Sequence, residues 1–551
     1  MVDTIAKHTW AEYYGDLTSG LHPEGDSVLD LFRNVVDSRP DAVAVTYFDK
    51  NLSYLELDKA SDALAAWFLD QAVRPGDRIA IILQNDPQFL ISILAAWKVG
   101  ALPVPMNPMY RVGELTGLFE DCTPAILVCY ARDCGVVQEA ANASRITATI
   151  LVCDPRNYQS RDDERVLPPA SPPPVGYVSF FEALEAGAGR AVPRRSPAGD
   201  EPGLLLYTSG TTGKPKGAIS PQFAMAFNGT GLGAWFKLDG NSRILGIAPL
   251  FHITGIVCHL SVTFALGASL ILNYRFEPQS ILDAIRATRP TYTIGAVTAL
   301  IALMNAPGAQ KEDFDSFESI ASGGAPIPPS VLNEFLRRMG KLIHPGYGMT
   351  ETTSQTIFCP LGVEAPVDPV SGALSIGIPV FHTQAMVIDD NGEPVPPGVA
   401  GELCTKGPQV MKGYWNKTKE TAEALVDGWL HSGDVAVMDE SGWFYLVDRK
   451  KDVIIASGFK VWPREVEDVL YTHPAVREAA VIGIPDSYRG ETVKAYISLK
   501  PGTMAACEEM VEYCRAKLAS YKAPRFVEIV DDLPKTVTGK IQRQALRQTG
   551  R

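Results

Sequence analysis

The 551-residue chain lacks clustered cysteines. Its nine cysteines include no Cys-x-x-Cys pair, and none is spaced with a histidine as metal ligands usually are. This pattern favours reduced thiols in a cytoplasmic protein over a disulfide framework or a structural zinc site.

A positive net charge is also missing, because 63 acidic residues outnumber 50 lysines and arginines and leave a charge of −13. Such a chain has no basic field for nucleic acid or an anionic membrane. Anionic ligands would therefore have to bind at local clusters of basic residues. The densest cluster comprises Arg449, Lys450, Lys451, Lys460 and Arg464.

No segment has the character of a signal peptide or of a convincing membrane span. Met1–Lys7 is too polar for the former. Gly255–Leu272 carries no acidic or basic residue apart from His259, but its glycines and polar residues argue against a span. It predicts a buried helix that turns at Gly267 into strand Ser269–Leu272. We expect no transmembrane segment, with peripheral membrane contact left open.

The length exceeds what one hydrophobic core usually serves, so at least two domains are expected. Strand Ile79–Leu83, helix Pro87–Val99 and strand Leu102–Pro105 form a βαβ unit, and the pattern recurs to Gly295. From Pro463 onward, alternating helices and strands indicate a compact α+β unit. The sequence predicts a large α/β N-terminal domain built on βαβ-type sheets (1–448) and a small α+β C-terminal domain (449–551).

The most informative segment is Tyr207–Gly217, which reads Tyr-Thr-Ser-Gly-Thr-Thr-Gly-Lys-Pro-Lys-Gly. Glycines let backbone N–H groups turn toward an anion, hydroxyls donate hydrogen bonds and lysines add charge, a combination that suits a triphosphate. It is not a Walker A loop, because only two residues separate Gly210 from Gly213 and no Ser or Thr follows Lys214.

The segment resembles the phosphate loop of the adenylate-forming enzymes, which include acyl-CoA synthetases, luciferases and peptide-synthetase adenylation domains. Seven further motifs occur in that family's order and cover nearly the whole chain. They are Ala248–Gly255, Ala321–Pro326, Gly346–Thr352, Asp427–Asp434, Asp448–Asp452, Ser457–Pro463 and Pro534–Lys540. The resemblance is strongest to the acyl-CoA synthetase branch and implies ATP, Mg²⁺ and coenzyme A as cofactors and substrates.

The resemblance also implies roles for individual residues around ATP. The phosphate loop comprises Thr208, Ser209, Gly210, Thr211, Thr212, Gly213 and Lys214. Gly323, Gly324 and Ala325 line adenine and the acyl site, Tyr347 and Gly348 contact adenine, and Asp434 and Arg449 bind ribose. Thr350 contacts the α-phosphate from a Gly-Tyr-Gly turn, and Glu351 holds Mg²⁺, a hard cation that prefers oxygen ligands.

A mobile C-terminal domain follows from the same resemblance. Lys540 would reach the α-phosphate and the substrate carboxylate during adenylation, stabilising the transition state. Lys451 stands at the family's hinge position. Gly458 and Lys460 belong to the stretch that admits pantetheine once the domain rotates and withdraws Lys540.

The acyl site is expected to lie beside His252, Gly295, Ala296, Gly346 and Met349. A histidine among apolar neighbours is more often a core residue than a catalyst, so His252 is placed near the substrate with no acid–base role. Glycine and alanine at 295, 296, 323 and 324 predict an open pocket floor without a charged group.

Several functions remain open at this stage. A carboxylate–CoA ligase is favoured, acting on medium- or long-chain fatty acids or, alternatively, on aryl acids of the cinnamate or benzoate type. An amino-acid adenylation domain would normally carry aspartate where His252 stands. A nucleotide-sensing pseudoenzyme would be expected to lose Lys540, Glu351 or the loop. Motifs alone do not exclude a luciferase-like oxygenase or an enzyme that loads a carrier protein, nor do they decide between monomer and homodimer.

Overall fold

The structure is a computed structural model that describes residues 13–14, 21–208, 215–449, 452–456, 459–486, 490–536 and 540–549. At 448–449, 459–460, 490 and 548–549 it describes the backbone alone.

Residues 21–187 contain a five-stranded parallel sheet of order β4-β3-β5-β6-β7. Its strands are β3 (Arg78–Ile82), β4 (Leu102–Pro105), β5 (Ile126–Tyr130), β6 (Thr149–Cys153) and β7 (Val178–Ser179), whereas the preceding strands β1 (Val43–Tyr47) and β2 (Lys50–Ser53) belong to a larger sheet. The helices are α1 (Val28–Ser38), α2 (Tyr54–Asp70), α3 (Pro87–Val99), α4 (Val112–Cys122), α5 (Cys134–Ala143) and α6 (Phe180–Gly187).

Helix α3 shows how the sequence sets these bounds. Asp86 caps its first turn by accepting a hydrogen bond from Phe89 N, and Pro87 occupies the first helical position. The helix ends at Gly100, whose φ of 76° is left-handed. Every residue of α3 is buried, which confirms a sheet covered by helices.

Residues 202–349 supply most of the parallel part of a second, larger sheet. Its strands from this region are β10 (Arg243–Leu245), β11 (Ser269–Leu272), β12 (Tyr292–Gly295), β13 (Ser319–Ser322) and β14 (Ile343–Met349), whereas β8 (Pro202–Tyr207) and β9 (Gly217–Pro221) pair as a separate two-stranded sheet. The helices are α7 (Gln222–Trp235), α8 (Ile253–Gly255), α9 (Val262–Leu266), α10 (Pro278–Thr288), α11 (Val297–Met304) and α12 (Pro329–Met339), with a π-helix at Ile256–Ser261 between α8 and α9. As predicted, Gly267 ends the helical run with φ 67° and β11 follows.

Residues 354–449 continue that sheet with antiparallel strands, which the sequence analysis did not anticipate. They are β15 (Ser354–Phe358), β16 (Ser375–Pro379), β17 (Gln384–Ile388), β18 (Gly401–Lys406), β19 (Leu425–Val426), β20 (Trp429–Met438) and β21 (Phe444–Arg449), together with helix α13 (Thr418–Ala424). The 14-stranded sheet has the order β17-β18-β20-β21-β16-β15-β14-β13-β12-β10-β11-β1-β2, and β19 pairs with β20. The parallel half therefore joins the antiparallel half at β14 and β15.

The remaining residues form the predicted α+β unit. Its strands are β22 (Ile454–Ala456), β23 (Phe459–Val461), β24 (Val476–Asp486), β25 (Gly490–Leu499) and β26 (Phe526–Ile529), and its helices are α14 (Pro463–Tyr471), α15 (Cys507–Arg515) and α16 (Arg543–Thr549). Asp452, at the start of this unit, forms an ion pair with Arg547, with 2.9 Å between its Oδ1 and the guanidinium nitrogen. Glu467 pairs in the same way with Arg543, with 2.7 Å between Oε2 and the guanidinium nitrogen. These pairs fasten α16, which directly follows the Lys540 loop, to the start of the domain.

Helices of the described residues are all too short or too polar to cross a membrane. No disulfide joins any of the nine cysteines, all of which lie among the described residues.

Candidate active site

The glycine-rich loop connects two antiparallel strands, β8 and β9. Its first residue, Thr208, donates its N–H to the carbonyl of Lys216 at 2.9 Å and thereby closes the base of the loop. Tyr207 donates its hydroxyl to Asp121 Oδ2 at 2.7 Å, which ties the incoming strand to α4. Ser209, Gly210, Thr211, Thr212, Gly213 and Lys214 lie outside the described residues.

Glu351 and Thr350 lie in a short 3₁₀ turn, Thr350–Thr352, directly after β14. Glu351 as a whole residue is 7% exposed, and its Oε1 accepts a hydrogen bond from the hydroxyl of Tyr414 at 2.7 Å. Sequence reasoning missed Tyr414, because nothing in the motifs links two residues so far apart. The described residues hold no group of three or more potential metal ligands, so a cation here would depend on Glu351 and on ligand oxygens.

The Gly-Tyr-Gly segment is extended, not the turn that the sequence analysis expected. Gly346–Gly348 belong to β14, where Tyr347 lies opposite Ile357 of β15. The Tyr347 ring is buried with Ile357, Ile376 and Phe444, and its hydroxyl donates to Asp434 Oδ2 at 2.9 Å. The structure thus brings together the predicted adenine and ribose residues, which are far apart in the sequence.

Asp434 lies inside β20 and faces Arg449 of β21 in the strand register. Gly433, just before it, has φ 70°, so the strand bends there as glycine permits. The side chain of Arg449 is outside the described residues, as are Lys451, Gly458 and the side chain of Lys460.

The glycines near the expected acyl site differ in what surrounds them. A Cβ on Gly295 would lie 2.5 Å from Ile247 Cδ1, and one on Gly346 would lie 2.5 Å from the Phe358 ring. The expected open floor is therefore wrong at Gly295, where a neighbouring side chain fills the space. A Cβ on Gly324, which has φ 80°, would have no neighbour within 4 Å. A Cβ on Gly323 would lie 3.1 Å from the Gly346 carbonyl oxygen. The opening lies at 323–324, beside the half-buried Ala325.

His252 precedes α8, and its Nδ1 accepts a hydrogen bond from Thr254 N at 3.3 Å. Burial and then the positive charge of Lys540 lower the pKa of His252 to about 4. Lys540 therefore reaches the N-terminal domain beside a predicted substrate residue. The backbone of its loop is closed by Thr536 N, which donates to the Lys540 carbonyl at 2.7 Å, and by Lys540 N, which donates to Thr536 Oγ1 at 3.1 Å.

A narrow cavity lies behind β14, between α7 and strands β15 and β16. Its walls are mostly apolar and aromatic, with Phe358 shared with the contact at Gly346. The lining residues are Phe227, Asn228, Gly231, Leu232, Trp235, Gln355, Phe358, Val380 and Phe381.

Two further residues expected at the acyl site, Ala296 at the start of α11 and Met349 at the end of β14, are half-buried.

A second cavity opens at the carboxyl ends of β3 and β5. Its charged lining comprises Arg111 at the start of α4, Arg132 after β5 and Asp133, whose carboxylate forms an ion pair with Arg132 at 3.1 Å. Strand β3 lies between β4 and β5 in the sheet. After β3 the chain passes through α3 to β4 on one side of β3, and it later forms β5 on the other side. Crevices at such a reversal of strand order are common ligand sites.

Comparisons with known proteins agree with this geometry. A family profile described as AMP-binding enzyme matches residues 32–415, and one described as AMP-binding enzyme C-terminal domain matches residues 465–540. The chain is 35% identical over 551 residues to a long-chain-fatty-acid–CoA ligase of Bacillus subtilis, covering 97% of each protein. It is 36% identical over 512 residues to a feruloyl-CoA synthase of Amycolatopsis sp, covering 92% of this chain and 96% of that one.

The fold is similar to a solved anthranilate CoA ligase in complex with anthranoyl-AMP, with a TM-score of 0.86 and 25% identity over 95% of this chain and 97% of that one. Since the first profile alone spans more than half of the sequence and the relatives match it nearly end to end, the chain belongs to the AMP-binding enzyme family, on its acyl-CoA synthetase branch.

Proposed function

We propose that the protein is an ATP-dependent carboxylate–CoA ligase. In the first half-reaction a carboxylate oxygen attacks the α-phosphorus of ATP, the bond to the β-phosphate oxygen breaks, and pyrophosphate leaves. In the second, the CoA sulfur attacks the acyl carbon after losing its proton, the acyl–phosphate bond breaks, and AMP leaves. The observation that carries the proposal is that Lys540 lies close enough to His252 for its charge to lower the pKa of the imidazole.

The residues of the first half-reaction are proposed as follows. Negative charge builds on the α-phosphate and on pyrophosphate, so fixed donors and cations near them lower the barrier. Lys540 would bridge the carboxylate and the α-phosphate, Thr350 would donate to that phosphate, and the loop Thr208–Lys214 would hold the β- and γ-phosphates. Tyr347 and Asp434 would bind adenosine, with Arg449 as a second ribose contact.

Magnesium fits Glu351 as a ligand. The carboxylate is buried, is fixed through Oε1 by Tyr414, and stands beside Thr350 where the triphosphate would pass. Bound there, Mg²⁺ would neutralise charge on the phosphate oxygens. Magnesium commonly takes one carboxylate together with phosphate oxygens, so the lack of a larger ligand cluster among the described residues agrees with this assignment.

The second half-reaction requires Lys540 to leave. We propose that 449–551 rotates about Lys451 as a unit, and the ion pairs of Asp452 and Glu467 with α16 support rigid movement of the Lys540 loop with that domain. The rotation would bring Gly458 and Lys460 to the acyl adenylate and exclude water from the anhydride. The domain division at 448–449 is part of the same proposal.

The second cavity suits the phosphate-bearing part of CoA. Arg111 and Arg132 supply guanidinium groups, which bind phosphate in a bidentate manner; Arg132 is also paired with Asp133, and none of the residues proposed for adenylation lines this cavity. Free CoA as the acceptor is therefore preferred to a carrier protein. A cytoplasmic location agrees with nine cysteines that form no disulfide, and a monomer or homodimer is proposed.

For the acid, medium- and long-chain fatty acids are proposed first and aryl acids second. The similarity to a long-chain-fatty-acid–CoA ligase and to a feruloyl-CoA synthase supports these two classes, and the residues expected beside the acid, Gly295, Ala296, Gly323 and Gly324, carry no charge. The test is ATP–pyrophosphate exchange with a panel of fatty, aryl and amino acids. Exchange driven by apolar acids, followed by thioester formation with CoA, is expected. Exchange driven by amino acids alone, or by no acid, would reject the proposal.

A further inference from the structure

Tyr414 joins two parts of the site that the sequence keeps apart. Its hydroxyl donates to Glu351 Oε1 at 2.7 Å, and the ammonium of Lys216 lies 4.4 Å from the centre of its ring. The tyrosine is 8% exposed, so both contacts are made where water is largely excluded. Lys216 ends the glycine-rich loop, and Glu351 is the proposed magnesium ligand.

The backbone around Tyr414 explains why it occupies this place. Residues 412–415 run antiparallel to β9: Lys412 N donates to Ile219 O at 3.0 Å, and Trp415 N donates to Gly217 O at 2.7 Å. On the other side, Met411 N donates to Glu351 O at 2.8 Å. Tyr414 N also donates to Thr421 Oγ1 at 2.9 Å, which fixes the segment to α13. The segment 411–415 is thus bonded both to the strand leaving the loop and to the 3₁₀ turn of Glu351.

This arrangement has a chemical consequence for the carboxylate. A hydroxyl that donates to one oxygen of a buried carboxylate fixes its rotamer, and a hydrogen bond to an ionised group is strong. The described part of the chain provides no recorded donor to Oε2, which leaves that oxygen available to a hard cation. Groups that orient a metal ligand in this way strongly affect metal affinity. The cation–π contact with Lys216 holds the ring at the same time.

We propose that Tyr414 is a positioning residue: it orients Glu351 for the metal–nucleotide complex and couples that orientation to the base of the glycine-rich loop. The inference rests on the proposed function, because it assumes that Glu351 meets a metal-bound triphosphate. It adds a residue that no motif identified and a physical link between loop and carboxylate.

The test compares nucleotide binding with and without metal by calorimetry, using α,β-methylene-ATP so that no reaction occurs. Tyr414→Phe removes the hydroxyl and keeps the ring against Lys216. We expect the affinity of Tyr414→Phe for Mg²⁺·α,β-methylene-ATP to fall about 10-fold, with affinity for the metal-free nucleotide unchanged. Acyl-AMP plus CoA should still give thioester at the wild-type rate.

Tyr445→Phe is the matched control, since Tyr445 also donates to a carboxylate, Asp439 Oδ2, at 2.8 Å. It should leave both affinities unchanged. Equal weakening of metal-bound and metal-free nucleotide in Tyr414→Phe would mean a purely structural role and would overturn the inference, as would unchanged metal dependence. Failure of the wild-type protein to bind ATP at all would instead overturn the proposed function.

Discussion

Lys540 of the C-terminal domain lies close enough to His252 of the N-terminal domain for its charge to lower the pKa of the imidazole. Burial is the larger cause, and together they bring that pKa to about 4. In the proposed reaction, Lys540 would act on an acid bound beside His252 in this domain arrangement. It corresponds to the adenylation half of the proposed reaction.

The first prediction separates the half-reactions. Lys540→Ala should reduce acid-dependent pyrophosphate release by about 10²–10³-fold, because a fixed cation at the developing charge is lost. Conversion of supplied acyl-AMP plus CoA to thioester should continue, since Lys540 is proposed to be withdrawn at that stage. Lys500→Ala, an exposed lysine of the same domain, serves as control. Equal loss of both half-reactions would contradict the assignment.

The second prediction concerns pH. His252 should stay neutral from pH 5 upward in the wild type, and in Lys540→Gln its pKa should rise above about 4 while remaining below the ordinary value of 6.5, because burial persists. Histidine NMR titration, assigned with His252→Gln, measures this. Titration of His252 near pH 6.5 in the wild type would contradict the geometry.

The lowered pKa of His252 also makes the free energy of unfolding depend on pH. The folded-state pKa of His252 lies below the unfolded value, so between about pH 4 and 6.5 the unfolded chain binds more protons. Its contribution to stability is complete above pH 6.5 and is lost as the pH falls through that range. His252→Gln should therefore flatten the pH dependence of the unfolding midpoint in this window.

Sequence patterns predicted the parallel half of the fold well, because helices with clear caps, such as α3 between Asp86 and Gly100, are defined locally. They failed for β15–β21, where antiparallel pairing depends on partners distant in the chain. They also took Gly346–Gly348 for a turn, although β15 holds it extended. The link between Tyr347 and Asp434 agrees with the motif assignments, whereas Tyr414 could not be found without the fold.

The third prediction tests why β14 contains glycine at 348. A Cβ there would lie 1.9 Å from Ser354 O and 2.7 Å from Gln355 Cα, so both strands would have to move. Gly348→Ala should cost about 2–3 kcal/mol of unfolding free energy and weaken adenylation by displacing Thr350 and Glu351. Gly324→Ala is the matched control, because its new Cβ would meet no neighbour. Its unfolding free energy should fall by only about 1 kcal/mol, the cost of a positive φ for alanine. Denaturant unfolding compares them; equal costs would contradict the packing argument.

The fourth prediction tests whether CoA binds at the cavity lined by Arg111 and Arg132. Arg111→Ala combined with Arg132→Ala should raise the KM for CoA about 10-fold, since two charge-assisted contacts to phosphate are removed. ATP–pyrophosphate exchange should not change. Arg337→Ala, on an exposed face of α12, is a control for the loss of surface charge. If the double variant keeps the wild-type KM for CoA, the anion that fits this cavity is not part of CoA.

The last prediction addresses the acid. If the acyl site receives an alkyl tail among apolar groups, kcat/KM should rise by up to about fourfold per methylene, the equivalent of ~0.8 kcal/mol, until the tail fills the site. Ala296→Phe should shorten the preferred chain, because the added ring occupies space at the start of α11 beside the site, and should leave acetate-sized acids largely unaffected. Ala299→Phe, one turn further along α11, is the matched control, and kcat/KM over a series from acetate to palmitate measures both variants. A flat response to chain length, with cinnamate or benzoate turned over far faster than octanoate or laurate, would reject the fatty-acid assignment and favour the aryl one.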